Sequence, residues 1–134
     1  MENKLLPHGE KFLFVDEVVE ANKYEIIGNY TFKKAHNVFL YFPELITVPS
    51  FFVLESLFQC GGAGARQLKI CDGLFGIAKI NSANFFGLID FDQQINMKIQ
   101  NQQLSRKIIK QSGKGFLNDR LMVQAEWVSI NLTA

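Results

Sequence analysis

One acid in this chain stands apart for the chemistry it could do. Glu55 lies in "LYFPELITVPSFFVLESLFQ", residues 40–59, among Phe51, Phe52, Val53, Leu54, Leu57 and Phe58. A carboxyl set in apolar surroundings without a counter-charge is pushed toward its neutral form, which suits an acid that donates a proton near neutrality. The same placement suits a Glu that hydrogen-bonds a loop backbone and holds it in place. Gln59 follows four residues later and shares a helical face with Glu55. A base to work against this acid is harder to find. The chain has two histidines. His8, in "LPH", reads as a local hydrogen-bonding group that holds the N-terminal segment. His36 reads as a solvent-facing loop residue. Cys60 and Cys71 are too few for a disulfide framework and form no Cys-x-x-Cys pair, so no metal site is expected. Two free thiols fit a reducing compartment, and the expected location is the cytoplasm.

Glu55 and Gln59 need a helix to hold them. Pro49-Ser50 opens one, with Ser50 placed to cap it, and the helix runs to about Lys69. It is apolar almost all round and is therefore expected to be buried on most sides. Its small residues Gly61, Gly62, Ala63, Gly64 and Ala65 let other backbone approach closely. Before it runs "AHNVFLYFPELITVP", residues 35–49, a long loop with two prolines, and loops of that length are usually functional. "FLFVDEVVEA" (12–21) reads as a turn entering a strand, and "YEIIGNYTFKK" (24–34) as a strand. From residue 74, "LFGIAKINSANFF", "QQINMKIQNQQ", "SRKIIKQSGKGFL" and "RLMVQAEWVSI" alternate as strands with turns between them. In "LMVQAEWVSI" the alternation is less clean. The expected architecture is α+β, one domain over residues 1–134: an antiparallel sheet with one long hydrophobic helix against it.

Composition narrows the function. Apolar residues make up 48% and charged residues 20% of 134 positions, enough for a real core and against disorder. A net charge of +1 gives no electrostatic footprint for nucleic acid. The densest basic run, "SRKIIK" (105–110), reads as a solvated strand face. The N-terminus "MENKLLPHGEKF" mixes acidic and basic residues and lacks the apolar run of a signal peptide. Residues 38–65, the most apolar stretch, are interrupted by Pro43, Glu44, Pro49, Glu55 and Gln59, so no membrane span is expected.

The ordered set Leu6-Pro7-His8, Phe12-Leu13-Phe14-Val15-Asp16, Phe42-Pro43, Val48-Pro49, Leu54-Glu55 and Gln59 resembles the hot-dog-fold (3R)-hydroxyacyl-acyl carrier protein dehydratases, the FabA/FabZ family. "GIAKINSANFFGLIDFDQQINMKIQ" and "VQAEW" resemble the family's second half. The resemblance implies a sheet wrapped around the helix and a dimer formed by pairing sheets. It implies an active site at the dimer interface, with a loop histidine from one subunit and a helix carboxylate from the other. The histidine takes the substrate's α-proton and the carboxylate assists departure of the β-hydroxyl as water. The substrate is an acyl thioester on carrier protein or coenzyme A, with its chain in an apolar tunnel. Glu55 stands in the place of the catalytic acid and Gln59 in that of a substrate-contacting glutamine. No cofactor is implied.

Departures from the family pattern gather around the chemistry. Gly-His-Phe-Pro becomes Leu40-Tyr41-Phe42-Pro43, which puts Tyr41 where the base should be. A phenol ordinarily ionises near pH ~10 and is a poor base at neutrality. Ser50 replaces the glycine after the helix-opening proline, a change at the backbone donors that would hold the thioester carbonyl. Asp90-Phe91 replace a Pro-Gly. Phe42, Phe85 and Phe86 are the rings placed to line an acyl tunnel. Beside an ordinary dehydratase with an unorthodox catalytic pair, Tyr41 and Glu55, two readings follow. In one, the chain binds acyl thioesters but lacks its own base, acting as a homodimer or with a sister hot-dog subunit. In the other, Glu55 alone serves thioester hydrolysis.

Overall fold

The computed structural model describes residues 12–69 and 73–133. Six strands form one antiparallel sheet: β1 (Glu17–Ala21), β2 (Glu25–Thr31), β3 (Phe75–Phe85), β4 (Gln94–Leu104), β5 (Ile108–Leu117) and β6 (Arg120–Asn131), in the order β1-β2-β4-β5-β6-β3. A short helix α1 (Asn37–Leu40) and the long helix α2 (Ser50–Gln67) lie between β2 and β3 in sequence. The sheet curls around α2, which packs on every strand. This is the expected α+β hot-dog arrangement.

Strict alternation builds the face that holds α2. Ile95, Met97 and Ile99 of β4 point inward between exposed neighbours, as do Ile109, Gln111, Gly113 and Gly115 of β5. The untidy alternation in β6 has a local cause. Gly115 pairs with Val123 but Phe116 pairs with Leu121, so Met122 is an extra residue in a bulge and is buried beside Val123. Asn118 and Asp119, both at positive φ, make the two-residue turn between β5 and β6.

Helix α2 begins one residue earlier than a Ser50 cap requires. Pro49 occupies the cap position in extended backbone, Ser50 is the first helical residue, and no side chain caps this end. The helix stops at Gln67, and Lys69 turns left-handed (φ 60°). Nor is α2 buried on most sides. Val53, Ser56, Leu57, Cys60 and Gly64 face the sheet, whereas Phe51 is exposed and Leu54, Glu55, Phe58 and Gly62 are only half-covered. The side chains that use the small residues come from the sheet: a Cβ on Gly64 would lie 2.5 Å from Ile26.

The loop before α2 is firmly tied. Val48 N–H donates to Ile89 O at 2.8 Å, and Thr47 bridges Asp90, so the β3–β4 connection pins the start of the helix. Phe39 anchors α1 in the core against Phe32, Phe52 and Phe91. At the other end of the core, Trp127 stacks edge-on against Phe58 with ring centroids 4.9 Å apart.

Two buried acids are held neutral. Burial pushes the Cys60 thiol up to about 12. Burial, then the nearby Asp16 carboxylate, pushes Tyr30 up to about 12. In the unfolded chain both groups ionise at lower pH. Between the unfolded and folded values the unfolded state binds fewer protons, so stability falls as pH rises. Chemical denaturation is expected to show full stability below about pH 8 and a steady decline from about pH 9 toward 12. Cys60→Ala should flatten that decline. Unchanged stability up to pH 11 would contradict the assignment.

Among the described residues no helix is long and apolar enough to cross a membrane, and no group of three or more His, Cys, Asp or Glu could hold a metal. His8 and Cys71 lie outside the described residues.

Candidate active site

Glu55 is half-buried rather than sealed, and its orientation is fixed by its neighbour one turn on. Gln59 Nε2 donates to Glu55 Oε2 at 3.0 Å and to Phe12 O at 2.7 Å, while Gln59 Oε1 accepts from Phe14 N–H at 2.6 Å. Gln59 is only 2% exposed, and both of its N–H donors are committed. It is a brace that ties the 12–14 segment to α2 and aims the carboxylate. Ser56 completes the brace by donating to Phe14 O at 2.6 Å.

Two clefts meet at Glu55, Phe58 and Gln59. The first, about 240 Å³, runs under the C-terminal half of α2 and is walled by Phe58, Leu74, Phe75, Ile77 and Ile109. Gln111 and Ser129 lie on its floor, and Arg66 stands at its side. The second, about 350 Å³, follows the N-terminal half of α2 among Phe12, Phe14, Phe51, Phe52, Leu54 and Phe58. A carboxylate at the junction of two apolar clefts can exchange a proton with a ligand that spans them.

The remaining expected site residues are not gathered here. Tyr41, the C-cap of α1, is 79% exposed and lines neither cleft. Phe42 beside it is also exposed and outside both. Ser50 is exposed at the start of α2. Phe85 and Phe86 stand at the far end of β3, and the first cleft uses the near end, Phe75 to Ile77. Ten residues of strand separate Phe75 from Phe85, about 30 Å at ~3.3 Å per residue. Within one chain these rings therefore do not line the space beside Glu55.

His36 is not the free loop residue its sequence suggests. Its Nδ1 accepts from Val38 N–H at 3.1 Å and caps α1, and its ring packs against Phe14 and Phe39. It borders a separate depression with Asp16, Tyr30 and Lys33, away from Glu55.

Sequence reasoning missed Gln111 and Ser129. The signal was present: both are polar residues at inward positions of otherwise apolar or small alternation, Ile109-Gln111-Gly113 and Ala125-Trp127-Ser129. Arg66 and Phe58 needed the fold to be placed.

No family model matches the chain. The 3-hydroxyacyl-acyl-carrier-protein dehydratase FabZ of Desulfotalea psychrophila (strain LSv54 / DSM 12343) is 31% identical over 128 residues, covering 91% of this chain and 85% of that protein. Among solved structures, the dehydratase heterocomplex ApeI:P from Xenorhabdus doucetiae superposes with a TM-score of 0.78 at 12% identity, over 95% of this chain and 88% of that one. A hypothetical thioesterase protein with coenzyme A from Streptococcus pneumoniae TIGR4 follows at 0.67 and 13%, over 85% and 83%. The structural likenesses show the shared hot-dog fold, and at 31% identity across nine-tenths of its length the chain belongs to the FabZ family of 3-hydroxyacyl-acyl-carrier-protein dehydratases.

Proposed function

We propose that this chain is a FabZ-type subunit that binds acyl thioesters beside Glu55 and depends on a histidine-bearing hot-dog partner for dehydration. The observation that carries the reading is a contrast. Glu55 is braced by Gln59 at the meeting of two apolar clefts, while Tyr41 and Phe42 sit exposed outside both. An acid is prepared, and the position that should carry its base holds a phenol turned to the outside. In the reaction, a base removes the α-proton, the freed electron pair forms the α,β double bond, and the β-hydroxyl leaves as water with a proton from Glu55. Tyr41 occupies the position from which the family's histidine reaches across an interface.

Surface composition supports a second subunit. Ile77, Ile80 and Phe85 on the edge strand β3, with Tyr41, Phe42, Ile46 and Phe51 in the fold's loops and helix start, are all more than 40% exposed. So much large apolar surface on one chain calls for a cover. β3 is the edge strand of the sheet, paired only with β6 among the described residues, with bulges at Ala78 and Asn81 in that pairing. The heterocomplex named for the Xenorhabdus dehydratase makes a non-identical partner a natural choice.

Calorimetric titration with a non-hydrolysable 3-hydroxydecanoyl-pantetheine analogue tests the binding claim. The chain is expected to bind it, and Gly62→Leu, which pushes a side chain into the first cleft, is expected to weaken binding at least about 10-fold. Equal binding by the two proteins would place the ligand elsewhere and overturn the reading.

A further inference from the structure

The first cleft has a polar floor that an alkyl chain cannot satisfy. Ser129 on β6 pairs with Ile77 on one side and Ile109 on the other, so its hydroxyl stands in the middle of an apolar rung. The residue is 8% exposed, and among the described residues its hydroxyl has no hydrogen-bond partner. Gln111 lies one step along β5 on the same face and is 1% exposed. Its Nε2 donates to Gly61 O at 3.1 Å and to Asn101 Oδ1 at 2.9 Å. Both N–H groups are thereby used, the amide cannot flip without losing them, and Oε1 is left as an acceptor with no donor among the described residues. Only glycine at 61 leaves room for this amide, since a Cβ there would lie 2.4 Å from Oε1. Both residues line the first cleft.

Apolar walls above an unfilled hydroxyl and carbonyl describe a ligand that is apolar except at one point. Gln111 Oε1 can only accept, and Ser129 Oγ can donate or accept, so the complement is a hydroxyl. Gly61, against which Gln111 sits, is six residues beyond Glu55 on α2, about 9 Å along the axis. The polar point is therefore remote from the β-hydroxyl that Glu55 would serve. We propose that this cleft selects acyl thioesters whose chain carries a second, distal hydroxyl, which donates to Gln111 Oε1 and accepts from Ser129 Oγ. The inference rests on the thioester reading above and adds the class of acyl group. Ser129 and Gln111 are its specificity residues.

The test compares two analogues by calorimetry: 3-hydroxydecanoyl-pantetheine and its ω-hydroxylated counterpart. The hydroxylated probe is expected to bind about 10-fold more tightly, since it satisfies groups that the alkyl probe would bury unpaired. Ser129→Ala should narrow the preference to about twofold, chiefly by weakening the hydroxylated probe. Gln111→Leu should act in the same direction. Should the loss of its tie to Gly61 prevent folding, Ser129→Ala decides alone. Equal affinity for the two probes, or a preference untouched by Ser129→Ala, would overturn the inference while leaving the thioester reading intact. Failure of both probes to bind would sink the thioester reading and this inference with it.

Discussion

Tyr41→His is expected to convert the chain into a self-sufficient dehydratase. The loss of water from 3-hydroxydecanoyl carrier protein should rise by at least about 100-fold over the natural chain, the lower end of what a placed general base contributes. The position is favourable for the change. Tyr41 ends α1, whose other end is capped by His36 and whose Phe39 is buried against three rings, so the backbone that carries residue 41 is fixed. The side chain itself is 79% exposed, so an imidazole meets no clash. An imidazole titrates near pH ~6.5, and the new activity should rise across that range with a limb absent from the parent. Activity gained with no such limb would mean that another group supplies the base. No gain, in a variant that still dimerises, would mean that residue 41 does not reach the acid of a second subunit.

In that Tyr41→His background, Glu55→Gln is expected to remove about 100- to 10,000-fold of the turnover. The substitution is close to isosteric, and the new amide carbonyl at position 55 can still accept from Gln59 Nε2, as Glu55 Oε2 does now at 3.0 Å. The brace to Phe12 and Phe14 therefore survives, and the melting temperature should move by no more than about 2 °C. Thioester affinity should change little, because the acyl chain is held by the cleft walls. A drop in kcat with KM preserved identifies Glu55 as the proton donor. Loss of stability and affinity together would identify a structural carboxylate, the other role its sequence setting allows.

Much of this is legible in the sequence, for physical reasons that differ by element. The strands show because inward and outward residues alternate, as in Ile95, Met97 and Ile99. Helix α2 shows because Pro49 and the apolar run announce it, but its uncovered stripe does not. Apolar residues such as Phe51, Leu54 and Phe58 look alike whether a sheet or a second subunit covers them. The partnership of Glu55 and Gln59 is visible from their spacing. The use of Gln59 on the backbone of Phe12 and Phe14 is not, since those contacts span about 45 residues. Ser50 looks like a cap because Ser is a strong capping residue, whereas the extended backbone of Pro49 already takes that position. His36 looks solvent-facing because a lone loop histidine carries no pattern, and only the fold brings Phe14 to its ring. The ring chemistry of Phe85 and Phe86 suits a tunnel near the acid, but it says nothing about the length of strand between them and the cleft. Gln111 and Ser129 have a readable inward phase, yet neither titrates, and an uncharged polar residue in a strand carries no chemical signal of its own.

Glu55 is an acid whose expected base, at position 41, is an exposed phenol outside both clefts. Mass spectrometry of 3-hydroxydecanoyl carrier protein, incubated with the natural chain alone, asks directly whether the chain works unaided. The predicted result is an unchanged mass, with loss of one water appearing once a histidine-bearing FabZ subunit is co-assembled with the chain. Loss of water by the chain alone would contradict dependence on a partner, and loss of the whole acyl group would make Glu55 the centre of a thioesterase instead.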